Sequence, residues 1–298
     1  MNEAAVTRRR GIFAFAVTTL VWGSTWLVIK SQLGPVPVAW SVTWRFTLAC
    51  AAMFILAALR RERLVLSPRA MGFAAVIGFF QFCGNFQLVY QAERYLTSGL
   101  VAVMFALLIV PNALFGHLFI GTAVSRRFVF GSAIAIAGIA LLMLHEYHIV
   151  PPGGSVLLGL ILTLGGLLCA SIANVLQSGQ TARAQSVVVL LTWAMLIGAA
   201  SNAAFAWITQ GPPVFDWSAR YMFGVGYLGL IGSVLTFPLY SILLRDWGPG
   251  RAAYNGVLIP VVAMALSTLF EGYQWTVLAL SGALVVIAGL MVALSGRR

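Results

Sequence analysis

Charge is what this sequence has least of. Only 8% of its 298 residues are charged, and just seven are Asp or Glu. Soluble domains are about a quarter charged. A soluble chain of this length could not cover its surface with so little charge. Cysteine is also scarce. Cys50, Cys83 and Cys169 each lie inside an apolar run, which excludes a disulfide framework. No Cys–His cluster has metal-ligand spacing, so neither a metal nor another cofactor is expected. The only histidines are His117, His145 and His148, and no acid falls in the middle of an apolar run. An intramembrane enzyme built on a Ser–His pair, an acid pair or metal ligands lacks its parts. His145, Glu146 and His148 cluster at an outer loop, where a solvated turn is expected.

What is abundant is apolar: 61% of the residues are hydrophobic and the mean hydropathy is +0.96. The chain reads as an integral membrane protein. The start, MNEAAVTRRR, mimics a secretory signal. The run that follows, Gly11–Ile29, is as long as a full span, and no small-x-small site follows it. It is expected to stay as the first helix. A span needs about 20 mostly apolar residues. Ten runs qualify: 11–30, 37–59, 70–91, 98–119, 128–146, 155–178, 187–209, 220–243, 251–271 and 276–294. Short loops rich in Pro, Gly or charge join them, such as QLGPVP and RDWGPG. Membrane barrels alternate polar and apolar residues and these runs do not, so the class is all-α.

The net charge of +11 could indicate a nucleic-acid partner, but the placement of the cations argues otherwise. With ten spans, one side collects Arg8, Arg9, Arg10, Arg60, Arg61, Arg63, Arg69, Arg126, Arg127, Arg183, Arg245, Arg251, Arg297 and Arg298. The other side holds Lys30, Arg94 and Arg220, while Arg45 falls inside a span. The positive-inside rule then puts both termini in the cytoplasm.

The two halves repeat. GSAIAIAGIALLM (Gly131–Met143) and GALVVIAGLMVAL (Gly282–Leu294) keep their glycines in the same register. Each follows a span with an internal proline, Pro111 in one and Pro260 in the other. The repeats are read as 1–150 and 151–298, with five spans each. An odd number of spans forces the second copy to enter the membrane inverted, which is the plan of secondary transporters. A passive receptor or assembly subunit has no need of it.

WGSTWLVIK at Trp22–Lys30, WRF at Trp44–Phe46 and the two proline-then-glycine blocks carry a likeness over essentially the whole chain. They resemble the EamA branch of the drug/metabolite transporter superfamily, most closely the bacterial aromatic amino-acid exporters of the YddG type. One departure is that a glutamate expected after the fourth and ninth helices is present as Glu271 but absent from the first copy, which reads FIGTAV. That is expected to touch packing or loop geometry. The resemblance implies ten helices around a central cavity. Helices one, three, four, six, eight and nine would line it, and two, five, seven and ten would be peripheral.

Polar residues at membrane depth are costly unless they are paired or face a cavity. Gln81 and Asn85 share a face of the third span, and Ser171, Asn174 and Gln177 share a face of the sixth. Each set could line a cavity or bond between helices. Tyr240 and Tyr254 lie toward the cytoplasmic ends of their spans, where an interfacial role competes. Trp22 and Trp26 are four apart, with Ser24 between them. Trp26 suits a headgroup belt. Trp22 is too deep for that, so it faces either a cavity or the packed core. Arg45, in a helix expected to be peripheral, reads as structural: a snorkel or a donor to backbone carbonyls. Pro111 and Pro260 permit kinks that suit either gating or static shape. The paired glycines read as close helix packing.

The expectation is a monomeric, multi-pass protein of a bacterial inner membrane, whose partners are the lipid bilayer and a small-molecule substrate. It would export small neutral amino acids, aromatic ones foremost, by alternating access. A broad efflux protein for drugs, lipophilic cations or other metabolites is the alternative. The lack of mid-span acids argues against a carboxylate proton relay and favours downhill movement.

Overall fold

The computed structural model describes residues 3–121, 123–149, 155–240, 243 and 254–295, with the backbone alone for 3–8, 148 and 149. Among the described residues the fold is entirely helical. The helices are α1 (Glu3–Ser31), α2 (Val38–Leu59), α3 (Pro68–Ala92), α4 (Ser98–Ile120), α5 (Arg126–Ile149), α6 (Val156–Ser178), α7 (Val187–Gln210), α8 (Ala219–Tyr240), α9 (Asn255–Phe270) and α10 (Val277–Ser295). Nine are long and apolar enough to cross a membrane, and α9 is a shorter apolar helix. A one-turn helix, Gln180–Arg183, follows α6.

Side chains set many of the helix starts. Hydroxyls of Ser67, Ser125, Ser155, Ser218 and Thr276 accept from the backbone N–H three residues on. Each satisfies an N–H that the first turn of its helix leaves unpaired. α4 and α7 end at Gly121 and Gly211, whose φ angles of 76° and 77° favour glycine. Residue 122, residues 241–242 and the first residues of the expected ninth span, 251–253, lie outside the described residues. So do the boundary expected between repeats and the cations Arg245, Arg251, Arg297 and Arg298 of the orientation argument.

By contact the chain divides into two compact units. The first is Met1–Leu27, Ala92–Leu164 and Leu239–Arg298; the second is Val28–Gln91 and Gly165–Pro238. Each unit therefore draws helices from both halves of the chain. Within the first unit α5 packs along α10, and α4 along α9. Within the second, α2 packs along α7. Each of these partners holds the equivalent place in the other repeat.

The α5–α10 seam is reciprocal. Gly131 meets Gly289 and Ala293, and Gly138 meets Gly282 and Val286. Exchanging the two repeats turns the first contact into the second, as a two-fold relation requires. A Cβ on Gly138 would lie 2.6 Å from the Val286 nitrogen, and one on Gly282 would lie 2.9 Å from the Leu142 side chain. α4 meets α9 in the same way, with Gly99 against Met264 and Ser267. α1 joins this unit through Asn255, which donates to the Thr18 hydroxyl (2.7 Å) and accepts from that of Thr19.

In the second unit Val42, Phe46, Ala49 and Met53 form a fully buried stripe on α2. Here too the contacts are reciprocal. Trp44, the seventh residue of α2, donates its indole N–H to the Val214 carbonyl at 2.8 Å. Trp193, the seventh residue of α7, donates to the Leu64 carbonyl at the same distance. Each ring ties the start of its helix to a loop, as interfacial tryptophans do.

One expectation is corrected. His145 and Glu146 do not lie in a solvated turn. α5 continues to Ile149, and the two side chains are only 2% and 4% exposed. His145 Nδ1 pairs with the Thr276 hydroxyl at 3.0 Å, and its ring stands edge-on to Tyr273. Glu146 interacts with Tyr273, so residues of the α9–α10 segment cover both. Burial first, and the Glu146 charge second, push the Tyr273 phenol well above its ordinary range, so it remains a proton donor. The side chain of His148 lies outside the described residues. Among the described residues no group of three or more His, Cys, Asp or Glu could hold a metal.

The glycine seam carries a prediction. Gly138→Leu should destabilise the protein by about 2–3 kcal/mol, the cost of overpacking a close contact. Gly72→Leu, where a Cβ meets nothing within 4 Å, should leave thermal unfolding in detergent unchanged.

Candidate functional site

Two spans of the second unit are not regular α-helices. α3 widens to a π-helix over Gly78–Gly84 and α8 over Tyr227–Leu235. Gly78 and Gly229 fall at matching places in the two repeats, Gly78 against the Ala194 backbone and Gly229 against that of Arg45, so the widening recurs. A π turn holds an extra residue and re-aims the side chains around it, and such turns gather at functional sites. Hydroxyls support the one in α8. Ser233 donates to the Leu228 carbonyl and Thr236 to that of Ile231, both at 2.9 Å and both five residues back. In α3, Asn202 of α7 donates to the Phe82 carbonyl (2.8 Å) and accepts from the Gln87 amide (2.8 Å).

The two π turns carry the polar residues singled out above. Gln81 lies inside the α3 turn and Asn85 just beyond it, 7% and 3% exposed. Their oxygens, Gln81 Oε1 and Asn85 Oδ1, lack a hydrogen-bond donor, as does the fully buried Ser171 Oγ. α6 crosses α3 closely at this level: Gly166 meets Asn85, and Gly84 meets Cys169. Asn174 and Gln177 follow on α6, half-buried. The second unit thus brings Gln81, Asn85 and Ser171 to one pair of packed helices. A buried acceptor without a donor costs about 1–3 kcal/mol. Three of them on two packed helices make a concentrated demand for donors.

The first unit holds the other candidates. Trp22 packs on Tyr240 with centroids 5.1 Å apart and planes tilted 53°. Trp26 packs on Phe105 at 5.1 Å, its buried indole N–H lacking an acceptor. Ser24 donates to the Val21 carbonyl within its own helix. Tyr254 is 45% exposed and stands apart from this cluster, whereas its neighbour Asn255 is the buried residue that ties α9 to α1. Pro111 is buried in α4 three residues after a 3₁₀ stretch, Ala106–Leu108, where its ring displaces the regular ladder. Pro260 is buried within α9, which runs unbroken from Asn255 to Phe270. Equivalent prolines thus sit in helices of different regularity.

Glu271 follows α9. Its carboxylate accepts from the Ser98 N–H (3.2 Å) and hydroxyl (2.5 Å), the first residue of α4. Thr97, the residue before α4, makes no side-chain cap, so Glu271 serves as one from another helix.

One residue of the site was read in the sequence as structural. Arg45 on α2 does not snorkel; it is 2% exposed. Its guanidinium carbon lies 4.2 Å from the Phe86 ring centroid and 5.0 Å from that of Phe46. Nη2 makes a weak 3.4 Å bond to Ser233 in the π turn of α8, and Nε and Nη1 lack acceptors.

Ten apolar helices in a five-helix plan used twice, with polar groups held at bilayer depth, define a multi-pass membrane transporter. The chain belongs to the EamA-like transporter family, which it matches over residues 9–144 and 157–295. It is 25% identical over 283 residues to Protein PagO of Salmonella typhimurium, covering 95% of this chain and 92% of that one. A probable amino-acid metabolite efflux pump of Escherichia coli is 26% identical over 317 aligned positions, covering 98% and 97%. The uncharacterized inner membrane transporter YedA of Escherichia coli is 27% identical over 257, covering 85% and 80%. A solved crystal structure shares the fold with a TM-score of 0.68 and 18% identity, covering 97% of this chain and 98% of that one.

Glu271→Ala should cost about 1–2 kcal/mol of stability through loss of the α4 cap. Glu271→Gln, which keeps an acceptor, should lose less. Thermal unfolding in lipid nanodiscs reads both.

Proposed function

We propose that the protein exports small neutral amino acids, aromatic ones foremost, across a bacterial inner membrane by alternating access, and that it works as a monomer without enzymatic activity. The observation that carries this reading is the set of orphaned acceptors on Gln81, Asn85 and Ser171. An ammonium group has three N–H donors and no acceptor, and it suits three buried oxygens that lack donors. Phe46 packs on Phe82 and Phe86 within the same unit, with centroids 5.2 and 4.9 Å apart, and such rings offer stacking surfaces for an aromatic side chain. The names of the efflux-pump relatives point to the same substrate class. Among the described acids, Glu93, Glu146 and Glu271 sit at helix ends, so movement is downhill, without a mid-span carboxylate relay. The buried prolines, Pro111 and Pro260, are the bending points.

Counterflow in proteoliposomes tests the reading. Labelled phenylalanine should exchange saturably against Phe, Trp, Tyr, Thr or Met; absence of exchange for all five sinks it. Competition by lipophilic cations alone would assign the protein to broad efflux instead. Gln81→Leu and Ser171→Ala should each raise the half-saturation concentration about tenfold, the loss of one charge-assisted hydrogen bond. Because each removes an unsatisfied buried oxygen, the unfolding temperature should hold or rise.

A further inference from the structure

From the guanidinium of Arg45 we infer a carboxylate-binding site inside the second unit. The inference rests on the amino-acid reading and assigns the part of the substrate that the orphaned acceptors leave unaccounted for. A zwitterion brings an anionic group as well as a cationic one. The acceptors serve the cation, and a donor must serve the anion.

Arg45 is that donor on three grounds. The first is its environment. A guanidinium has five N–H donors and no acceptor. Here it is 2% exposed, and its one hydrogen bond to a described residue is a weak 3.4 Å contact with Ser233. Nε and Nη1, with three N–H groups between them, have no acceptor. No carboxylate of a described residue pairs with it, and its guanidinium also lies over the rings of Phe86 and Phe46. Cation–π contacts offset only part of what desolvating an unpaired ion costs. Among the described residues the charge is held in place without a counter-ion.

The second ground is symmetry. Trp44 and Trp193 are equivalent, with matching indole bonds to matching loops. The next residue is Arg45 on α2 and Ala194 on α7. Ala194 serves packing: its backbone lies against Gly78. The Arg45 backbone lies against Gly229 in the same way, so the frame draws on the backbone at this place, and one copy carries an arginine side chain there. The third ground is position. Arg45 bonds into the π turn of α8 and lies over Phe86, the residue after Asn85. It is thus tied to both spans whose backbone is widened. Arginine's planar fork suits a carboxylate, which it grips with two parallel hydrogen bonds.

The test uses the full-length protein in nanodiscs of neutral phosphatidylcholine, with thermal stabilisation as the binding readout. The probes are phenylalanine, phenylacetate (carboxylate without ammonium) and phenethylamine (ammonium without carboxylate). The variants are Arg45→Met, which keeps the volume without the charge, and Arg45→Lys. The wild type should be stabilised by phenylalanine and by phenylacetate. Arg45→Met should fold with equal or higher stability, because an apolar side chain replaces an unpaired charge. It should bind both carboxylates at least about thirtyfold more weakly and phenethylamine unchanged. Arg45→Lys should fall between. Equal weakening of all three probes, or a fall in stability of Arg45→Met without ligand and with no change in affinity, assigns Arg45 a structural role and overturns the proposal. A wild type stabilised by phosphatidylglycerol, with the effect lost in Arg45→Met and no response to phenylacetate, makes a lipid phosphate the occupant and also overturns it. Phenylacetate binding needs no transport. A site that binds phenylacetate through Arg45 in a protein that exchanges no amino acid would sink the transport reading and leave this one standing.

Discussion

A hydrogen-bonding group placed in hydrocarbon has no water to turn to, and that constraint orders the structure. It makes every span helical and brings in a partner wherever a helix departs from the regular ladder. Where α3 widens, Asn202 reaches across from α7 to the Phe82 carbonyl. Where α8 widens, Ser233 and Thr236 supply the bonds from their own helix. Where α4 begins beneath an uncapped threonine, Glu271 arrives from beyond α9. Against such pairing, the buried groups left without hydrogen-bond partners among the described residues stand out. They occur in both units, and those of the second include oxygens on α3 and α6 and two nitrogens of Arg45.

The inverted repeat explains how so few residue types hold the rest. Helices in equivalent places face one another, so a contact made once is made twice. The glycine pair of α5 fits that of α10, and the Trp44 bond is matched by that of Trp193. A small set of sequence features thus specifies each unit from both of its repeats. Departures from the pattern are informative for the same reason. Arg45 faces no equivalent demand at Ala194, and Glu271 has no counterpart in the first copy.

Much of the architecture was legible in the sequence because bilayer thickness fixes span length. The span limits agree with the helices to within a few residues, except that α1 starts earlier and α5 ends later than expected. The glycine registers announced their packing. The π turns were not legible, since a shift of one residue in hydrogen bonding leaves no mark on hydropathy. The burial of His145 and Glu146 depends on a loop more distant in sequence than local reading can reach. Arg45 was visible as a charge within a span. Its reading as structural followed from the peripheral place implied for α2, and only the neighbours on α3 and α8 reveal its two bare nitrogens. A comparison of Trp44–Arg45 with Trp193–Ala194 carried a usable signal.

The seam between α5 and α10 also bears on how the chain is assembled. α5 emerges from the ribosome long before its partner, with the second repeat almost entirely still to be made. Until α10 arrives, Gly131 and Gly138 lack the residues that they pack against in the folded chain. The first repeat therefore waits in the membrane as an incomplete fragment. Its residence there, and its protection from membrane proteases and from stray pairing with other helices, becomes a matter of translation speed.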